Sequence, residues 1–432
     1  MIRVLLFILL ATLSRSPLTA QDRAVTLPEA LALAARAQPG IVQAEAEVRT
    51  SAAQRRSAWG SFLPSLTASS SASDFFAEGA ARVDPVTGQL TSGSNTSRSL
   101  STSLSASVDL FTGFRRGAEL RAARAGEAEA EASLVDARFQ QALATTNQFF
   151  DALSAAQLVG VREASVRRAQ EQLKVSVAKL RAGSATRSDS LRSLVTLGSA
   201  RLDLIDTHTD LATAEANLAR LIGDVGRVRA LDDSSFRRVM ARVDTQALRS
   251  EAEARSPRIQ SAAASADAAR ASVRSSRAAY WPSLTLAANT GWNASRTEDY
   301  EFFNQRQLSL RMSWSIFNGF ERELGIAQRE ASYDVAQATA ADERRAVQAE
   351  LTARLAELDA ARAKIEITGT SVAAATEDLR VQQERYRLGV STIVDVLTSQ
   401  EALDQAEVDV VNARFDYLRA KARTEALIGR TL

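Results

Sequence analysis

The chain has 432 residues, 53 Lys+Arg against 51 Asp+Glu, one histidine and no cysteine. Acids and bases alternate along it, so no basic field for nucleic acid exists. The missing thiols exclude disulfides, thiolate metal sites and an acylated N-terminal cysteine as lipid anchor.

Residues 1–20 read as a secretory leader: Arg3, an apolar run over Val4–Leu13, then Pro17-Leu18-Thr19-Ala20 ahead of Gln21. That run is too short to span a bilayer as a helix, and no later stretch reaches the necessary length. An exported chain of this kind enters a membrane only as β-strands.

Leu27–Ala37 reads as a short helix, and Pro39 restarts a second over Ile41–Trp59, ahead of Pro64-Ser65-Leu66-Thr67. The succession recurs 218 residues later as a helix over Ala247–Arg255, Pro257, a helix over Arg258–Tyr280 and Pro282-Ser283-Leu284-Thr285. After each Pro-Ser-Leu-Thr the apolar period switches to two. Leu284, Leu286 and Ala288 alternate with Thr285, Ala287 and Asn289; Leu308, Leu310, Met312, Trp314 and Ile316 alternate with Gln307, Ser309, Arg311, Ser313 and Ser315. In the first copy Leu100, Leu104, Ala106, Val108 and Leu110 face Ser101, Ser103, Ser105, Ser107 and Asp109, with Leu66–Phe76 as the partner strand. These runs of about 10 to 12 residues cross a bilayer at a tilt. A half-buried soluble sheet shows the same alternation, but the leader and the Ser/Asn/Arg face favour the membrane. The connections, Ala77–Arg98 and Ser295–Arg306, read as loops, the second holding Tyr300, Phe302 and Phe303.

Phe111, Phe114, Phe317, Phe320 and Trp281, with Phe62, gather at the strand–helix junctions, where an aromatic girdle belongs. Four strands cannot close a barrel with a lumen, and open edges are not tolerated in lipid. Several chains must therefore contribute to one barrel.

From Phe114 to Gly183, and again from Phe320 to Gly389, 69 residues run with almost no helix breaker; at 1.5 Å per residue each reaches roughly 100 Å. Each run ends in a reversal where Gly183 or Gly389 supplies positive φ. Thr186 and Thr392 cap the outgoing helices, with Asp189 and Asp395 completing a capping box. Both reversals, the pair Leu110-Phe111-Thr112-Gly113-Phe114 and Ile316-Phe317-Asn318-Gly319-Phe320, and Leu221-Ile222-Gly223 with Leu427-Ile428-Gly429 share one offset of 206 residues. Such a period marks a duplicated half. The outgoing helices carry two opposed apolar seams: Leu202, Ile205, Ala212 and Leu197, Ala200, Leu204, Leu211, Leu218 in the first; Val408, Val411, Phe415, Leu418 and Leu403, Ala406, Val410, Ala413, Tyr417 in the second. Two opposed seams suit a helix with a neighbour on each side.

The chain thus divides into a leader (1–20), a first repeat (21–222, with a β-hairpin about 64–111 and a helical hairpin about 114–222), a linking segment (223–256) and a second repeat (257–432, with a β-hairpin about 282–317 and a helical hairpin about 320–429). The linking segment reads as a surface elaboration with one short helix.

Enzyme chemistry finds no support. The single His208 lies on a helix where its repeat counterpart is Arg414, so a surface or interhelix role outweighs ligand or base. There is no His-Glu-x-x-His and no phosphate-cradling glycine loop, and no cofactor or metal is implied.

Tyr386-Arg387-Leu388-Gly389 with Thr392-Ile393-Val394-Asp395-Val396-Leu397, Asn412-Ala413-Arg414-Phe415-Asp416-Tyr417-Leu418 and the closing Ala426-Leu427-Ile428-Gly429 resemble the TolC-type outer membrane efflux proteins. The resemblance covers nearly the whole length after the leader. It implies a homotrimer with a 12-stranded β-barrel in the outer membrane and an α-helical barrel across the periplasm. It also implies an inner-membrane pump joined by a periplasmic adaptor at the turns: Arg181, Gly183, Arg387, Leu388, Gly389 and Val390. Family members narrow the periplasmic mouth with a ring of aspartates. Asp395 matches the main position, whereas the second carboxylate is Thr398 here and the tethering arginine is Ser391, so the aperture is less charged. The expected function is a passive exit duct for efflux or type I secretion. The rival is a periplasmic coiled-coil adaptor or scaffold without a barrel, which has no need of four alternating strands.

Overall fold

The computed structural model describes residues 23–430, apart from 81, 84, 92–94, 238–244 and 297–300. The leader-like stretch 1–20 and Tyr300 lie outside the described residues. In chain order the elements are β1 (Arg23–Val25), α1 (Leu27–Ala37), α2 (Pro39–Gly60), β2 (Ser65–Ala77), β3 (Arg82–Val83), β4 (Leu90–Thr91), β5 (Asn95–Thr112), α3 (Arg115–Arg181), α4 (Arg187–Ile222), β6 (Val228–Ala230), α5 (Thr245–Arg255), α6 (Pro257–Ser276), β7 (Ser283–Arg296), β8 (Glu301–Ser313), α7 (Glu321–Arg387) and α8 (Ile393–Ile428). Arg115 and Glu321, Arg181 and Arg387, Arg187 and Ile393, and Ile222 and Ile428 each stand 206 residues apart. The two long helices and the two return helices therefore match in length to the residue, 67 and 36.

The chain forms two compact units. One comprises Met1–Ala44, Leu134–Arg258 and Arg344–Leu432; the other comprises Glu45–Ser133 and Ile259–Glu343. The first is helical around one large core, where Phe149, Phe415, Leu218 and Val25 are fully enclosed and Phe150, Leu153, Leu358 and Leu418 surround them. Burying a side chain of this size contributes about 2 kcal/mol. A two-stranded parallel sheet closes that core, with Arg23 opposite Val228 and Val25 opposite Ala230. Phe236 stands edge-on to Phe149 and Phe150 at 6.2 and 5.3 Å. Among the described residues of 223–256, the reading as a surface elaboration does not extend to Val228, Leu248 and Ala252, which are buried. Strands of three residues carry too little alternation to register as a pattern, so β1 and β6 escape a reading by period.

The second unit holds a four-stranded antiparallel sheet in the order β2-β5-β7-β8. Its strands run 13, 18, 14 and 13 residues, longer than the alternating apolar runs. Pairing continues outward through Asp74, Arg98 and Arg296, which are in register. Backbone hydrogen bonds do not need apolar side chains, so the ladder outlasts the pattern. The expected loops shrink accordingly: 301–306 belongs to β8, and the small hairpin β3–β4 lies within 77–98. At its other end β8 stops at Ser313, short of Trp314 and Ile316. There the Trp314 indole N–H donates to the Tyr280 carbonyl at 3.2 Å, and the chain turns into the corner.

The faces of the sheet differ in kind. One displays Leu66, Leu104, Leu110, Leu308, Leu310 and Met312, all substantially exposed. On the other, serine hydroxyls meet across strands: Ser65 with Ser107, Ser69 with Ser103, Ser71 with Ser101 and Ser73 with Ser99, at 2.7 to 2.8 Å. Ser105 donates to Asn289 and Thr285 to Asp109 on this side.

Candidate functional site: corners and hairpin ends

Each strand-to-helix corner places two consecutive residues in the left-handed region: Gly113 and Phe114 at φ 62 and 66°, Gly319 and Phe320 at 68 and 67°. A non-glycine residue there costs about 1–2 kcal/mol. Each phenylalanine also opens a helix, its carbonyl accepting from Ala118 N–H or Leu324 N–H. Edge-to-face contacts hold the rings, Phe114 against Phe111 at 5.4 Å and Trp281 at 5.8 Å, Phe320 against Phe317 at 5.4 Å. Phe114, Trp281, Phe317 and Phe320 are nonetheless mostly exposed, whereas Phe111 is half-buried.

At the hairpin ends, Gly183 (φ 75°) and Gly389 (φ 78°) reverse the chain. Ser184 N–H returns to Lys179 carbonyl and Val390 N–H to Arg385 carbonyl, both at 2.9 Å, the left-handed helix stop for which glycine is suited. Arg181, Arg387, Leu388 and Val390 surround these turns in solvent. The next helices begin with reciprocal caps. Thr186 N–H donates to Asp189 Oδ2 at 3.0 Å while Asp189 N–H donates to Thr186 Oγ1 at 3.3 Å. Thr392 N–H and Oγ1–H both donate to Asp395 Oδ2 at 2.8 Å, and Asp395 N–H returns to Thr392 Oγ1 at 3.4 Å. The Thr392 backbone N–H, then its hydroxyl, hold the Asp395 carboxyl below the usual carboxylate range. Ser391 Oγ–H donates to Gln382 carbonyl at 3.3 Å, and Thr398 is exposed one turn beyond the cap.

Beneath the ends lies a small core of Leu379, Tyr386, Ile393, Val396 and Leu403, against which Val175 of α3 packs. Lys179 of α3 donates to the Tyr386 carbonyl and stands 4.3 Å over its ring. Further up, Arg168 of α3 grips α8 by bonds to Asp404 at 2.6 Å and to both oxygens of Glu407 at 3.1 and 2.6 Å. Ser165 adds a bond to Asp404 at 2.5 Å. Sequence reasoning misses this polar grip because interleaved charges announce no partner; the one available signal is that Arg168 falls where the other repeat has Ala374. His208 is exposed on α4. Its counterpart Arg414 is bonded to Asp232 and Gln157.

Among the described residues no helix is long and apolar enough to cross a membrane, and no group of His, Cys, Asp or Glu is arranged to hold a metal.

A model of the outer membrane efflux protein family matches residues 30–224 and 248–430. The chain is 25% identical over 312 residues to the alkaline protease secretion protein AprF of Pseudomonas aeruginosa, covering 69% of this chain and 64% of that one. Against the outer membrane protein TolC of Escherichia coli the identity is 23% over 300 residues, 66% and 61% of the two chains. The matched stretch spans a little under two thirds of either relative. The outer membrane protein VceC of Vibrio cholerae shares the fold, with a TM-score of 0.76 at 19% identity over 94% of this chain and 96% of that one. The chain belongs to the outer membrane efflux protein family.

Proposed function

We propose that this protein is the exit duct of an efflux or type I secretion assembly, in which three copies close a 12-stranded barrel in the outer membrane above an α-helical barrel in the periplasm. The observation that carries this reading is the four-stranded sheet: one face is apolar and exposed, the other is hydroxylated, and β2 and β8 each leave one edge without a partner among the described residues. In lipid, each unpaired backbone group costs several kcal/mol, and pairing β8 of one copy with β2 of the next removes both edges. The apolar face then meets lipid and the serine face lines water.

The helices support the same closure. Leu191, Val195, Leu202 and Ile205 of α4, and Ile367 and Val381 of α7 with Leu388 in the turn that follows it, are exposed at heptad-compatible spacing. Shifting the internal α3–α8 contact by 206 residues sets α7 of one copy against α4 of the next, with Ala374 and Gly198 in the places of Arg168 and Asp404.

Conduction is passive. Energy and cargo come from an inner-membrane pump through a periplasmic adaptor, which engages Arg181, Gly183, Arg387, Leu388, Gly389 and Val390 at the hairpin ends. Asp395 of each copy lines the periplasmic aperture near Ser391 and Thr398. Its recorded bonds all fall on Oδ2, so one carboxylate serves as cap and presents its second oxygen to passing cations. The phenylalanines of the corners and Trp281 sit at the headgroups as a girdle. In planar bilayers the protein should form channels, and Asp395→Ala should raise conductance or weaken cation preference. A chain recovered in the soluble periplasmic fraction without channels would instead favour a scaffold.

A further inference from the structure

The duplication offers an internal control at the corners, and one corner departs from it. Between the end of α2 and the start of α3, Arg55, Arg56, Trp59, Leu120 and Arg124 line a cleft of about 240 Å³. Arg55 is paired with Glu127 at 2.9 Å, whereas Arg56 and Arg124 have no carboxylate partner among the described residues. Trp59 is 57% exposed. In the second repeat the same places are closed. Trp59 and Arg124 become Arg277 and Glu330, which join in an ion pair at 2.6 Å, and Arg55 becomes Val273, which is buried. The first repeat therefore keeps an open, partly apolar cleft with Arg56 and Arg124 in its lining, where its twin retains only Arg274 at the place of Arg56 and has paired or filled the other places.

The position of the cleft defines its ligand. Trp59 precedes the first residue of β2 by six residues, and Leu120 and Arg124 follow the Phe114 corner by six and ten. At 1.5 Å per residue that is roughly 10–15 Å below the apolar sheet face, within reach of the headgroup layer for arginines that extend upward along their own stems. Guanidinium groups match phosphate oxygens in pairs, and tryptophan favours this depth. We propose that the cleft binds the phosphate of an anionic glycerophospholipid in the leaflet facing the helices, Arg56 and Arg124 taking the phosphate while Trp59 and Leu120 cover the glycerol and upper acyl chain. This inference rests on the membrane placement proposed above.

The test uses the full-length protein in neutral detergent, followed by native mass spectrometry with added dioleoyl-phosphatidylglycerol or dioleoyl-phosphatidylcholine. Wild type should retain phosphatidylglycerol in preference, one per chain. Arg56→Gln with Arg124→Gln should weaken that retention roughly tenfold or more, while Arg277→Gln in the closed corner leaves it unchanged. Helix content by circular dichroism checks that the variants fold. Equal retention of both lipids, or no change in the double variant, overturns the assignment. Displacement by millimolar inorganic phosphate, regardless of acyl chains, also overturns it and marks a free-anion site. Planar-bilayer currents recorded on the same preparations separate the two readings: channels without lipid preference sink the cleft alone, and absent channels sink the duct.

Discussion

Two helices of one sequence design meet different fates in this chain. α4 and α8 are both 36 residues, begin with the same Thr-x-x-Asp cap and stop at a left-handed glycine. Yet Val411, Phe415 and Leu418 of α8 are buried, while Leu202 and Ile205 on the matching side of α4 are 64 and 59% exposed. The second half finds its outer neighbour within the chain, because α3 lies there. For the first half that neighbour is absent among the described residues. On the proposed assembly, an apolar seam kept on a helix whose chain does not cover it is a seam addressed to another copy, and the difference between the halves then marks the boundary between folding and assembly.

The hardest test separates these two roles. Val411→Asp places a charge in the chain's own core and should cost about 4 kcal/mol of monomer stability, read by denaturant unfolding. Leu202→Asp with Ile205→Asp should leave the monomer within about 0.5 kcal/mol but abolish the oligomer in light scattering of the detergent-solubilised protein. If the α4 variant unfolds as readily as the α8 variant, the comparison fails.

The corners sharpen the same contrast. A Cβ on Gly113 would meet Trp281 Cβ at 2.4 Å and Ala278 carbonyl at 2.7 Å, whereas one on Gly319 meets open space. Gly113→Ala should therefore cost about 3 kcal/mol, from overpacking added to left-handed strain. Gly319→Ala should cost about 1 kcal/mol in the isolated chain. Thermal unfolding of the two side by side decides this.

The polar grip comes next in size. Arg168→Met leaves Asp404 and Glu407 without their cation; the three side chains retain 17–24% accessibility, so the cost falls to about 2 kcal/mol, below that of a fully buried pair. The reciprocal change, Ala374→Arg, should spare the monomer and weaken the proposed assembly, because the 206-residue correspondence would set it against Gly198 and Arg201 of the next copy.

The smallest effect is local. Thr392→Ala removes one cap and should raise exchange of the Asp395 amide by about fivefold, equivalent to about 1 kcal/mol. Because the folded state holds the Asp395 carboxyl low, its contribution is complete above the ordinary carboxylate range and disappears as pH falls through the lowered folded value. Wild-type protection at this turn should fall under acid in the same sense, and Thr392→Ala should show a smaller fall.

Much of this architecture is legible in the sequence for stated reasons. Glycine followed by Thr-x-x-Asp fixes a reversal and a helix start together, and 69 residues without proline leave little besides helix. The strand cores show by period, but their ends do not, since pairing through Asp74, Arg98 and Arg296 leaves no apolar trace. β1 and β6 are invisible because each has three residues and gains its burial from helices far away in sequence. Of the candidate site, the caps and the corner aromatics can be read from motif and spacing. The Arg168 grip and the Lys179–Tyr386 contact cannot, because each depends on which helix stands opposite, a fact of packing that interleaved charge conceals.

The paired serines of the sheet carry a last consequence. In each hydroxyl pair either oxygen can be the donor, so the row has no preferred direction and reverses by simple bond rotation. On the duct reading, the hydroxyl rows impose no lasting electrical pattern of their own, and the fixed charges of this face are those of residues such as Asp109 and Arg311. Anion, cation and neutral solute each find these hydroxyls rearranged in their favour, and along the serine rows discrimination is left to the charged positions and to the aperture.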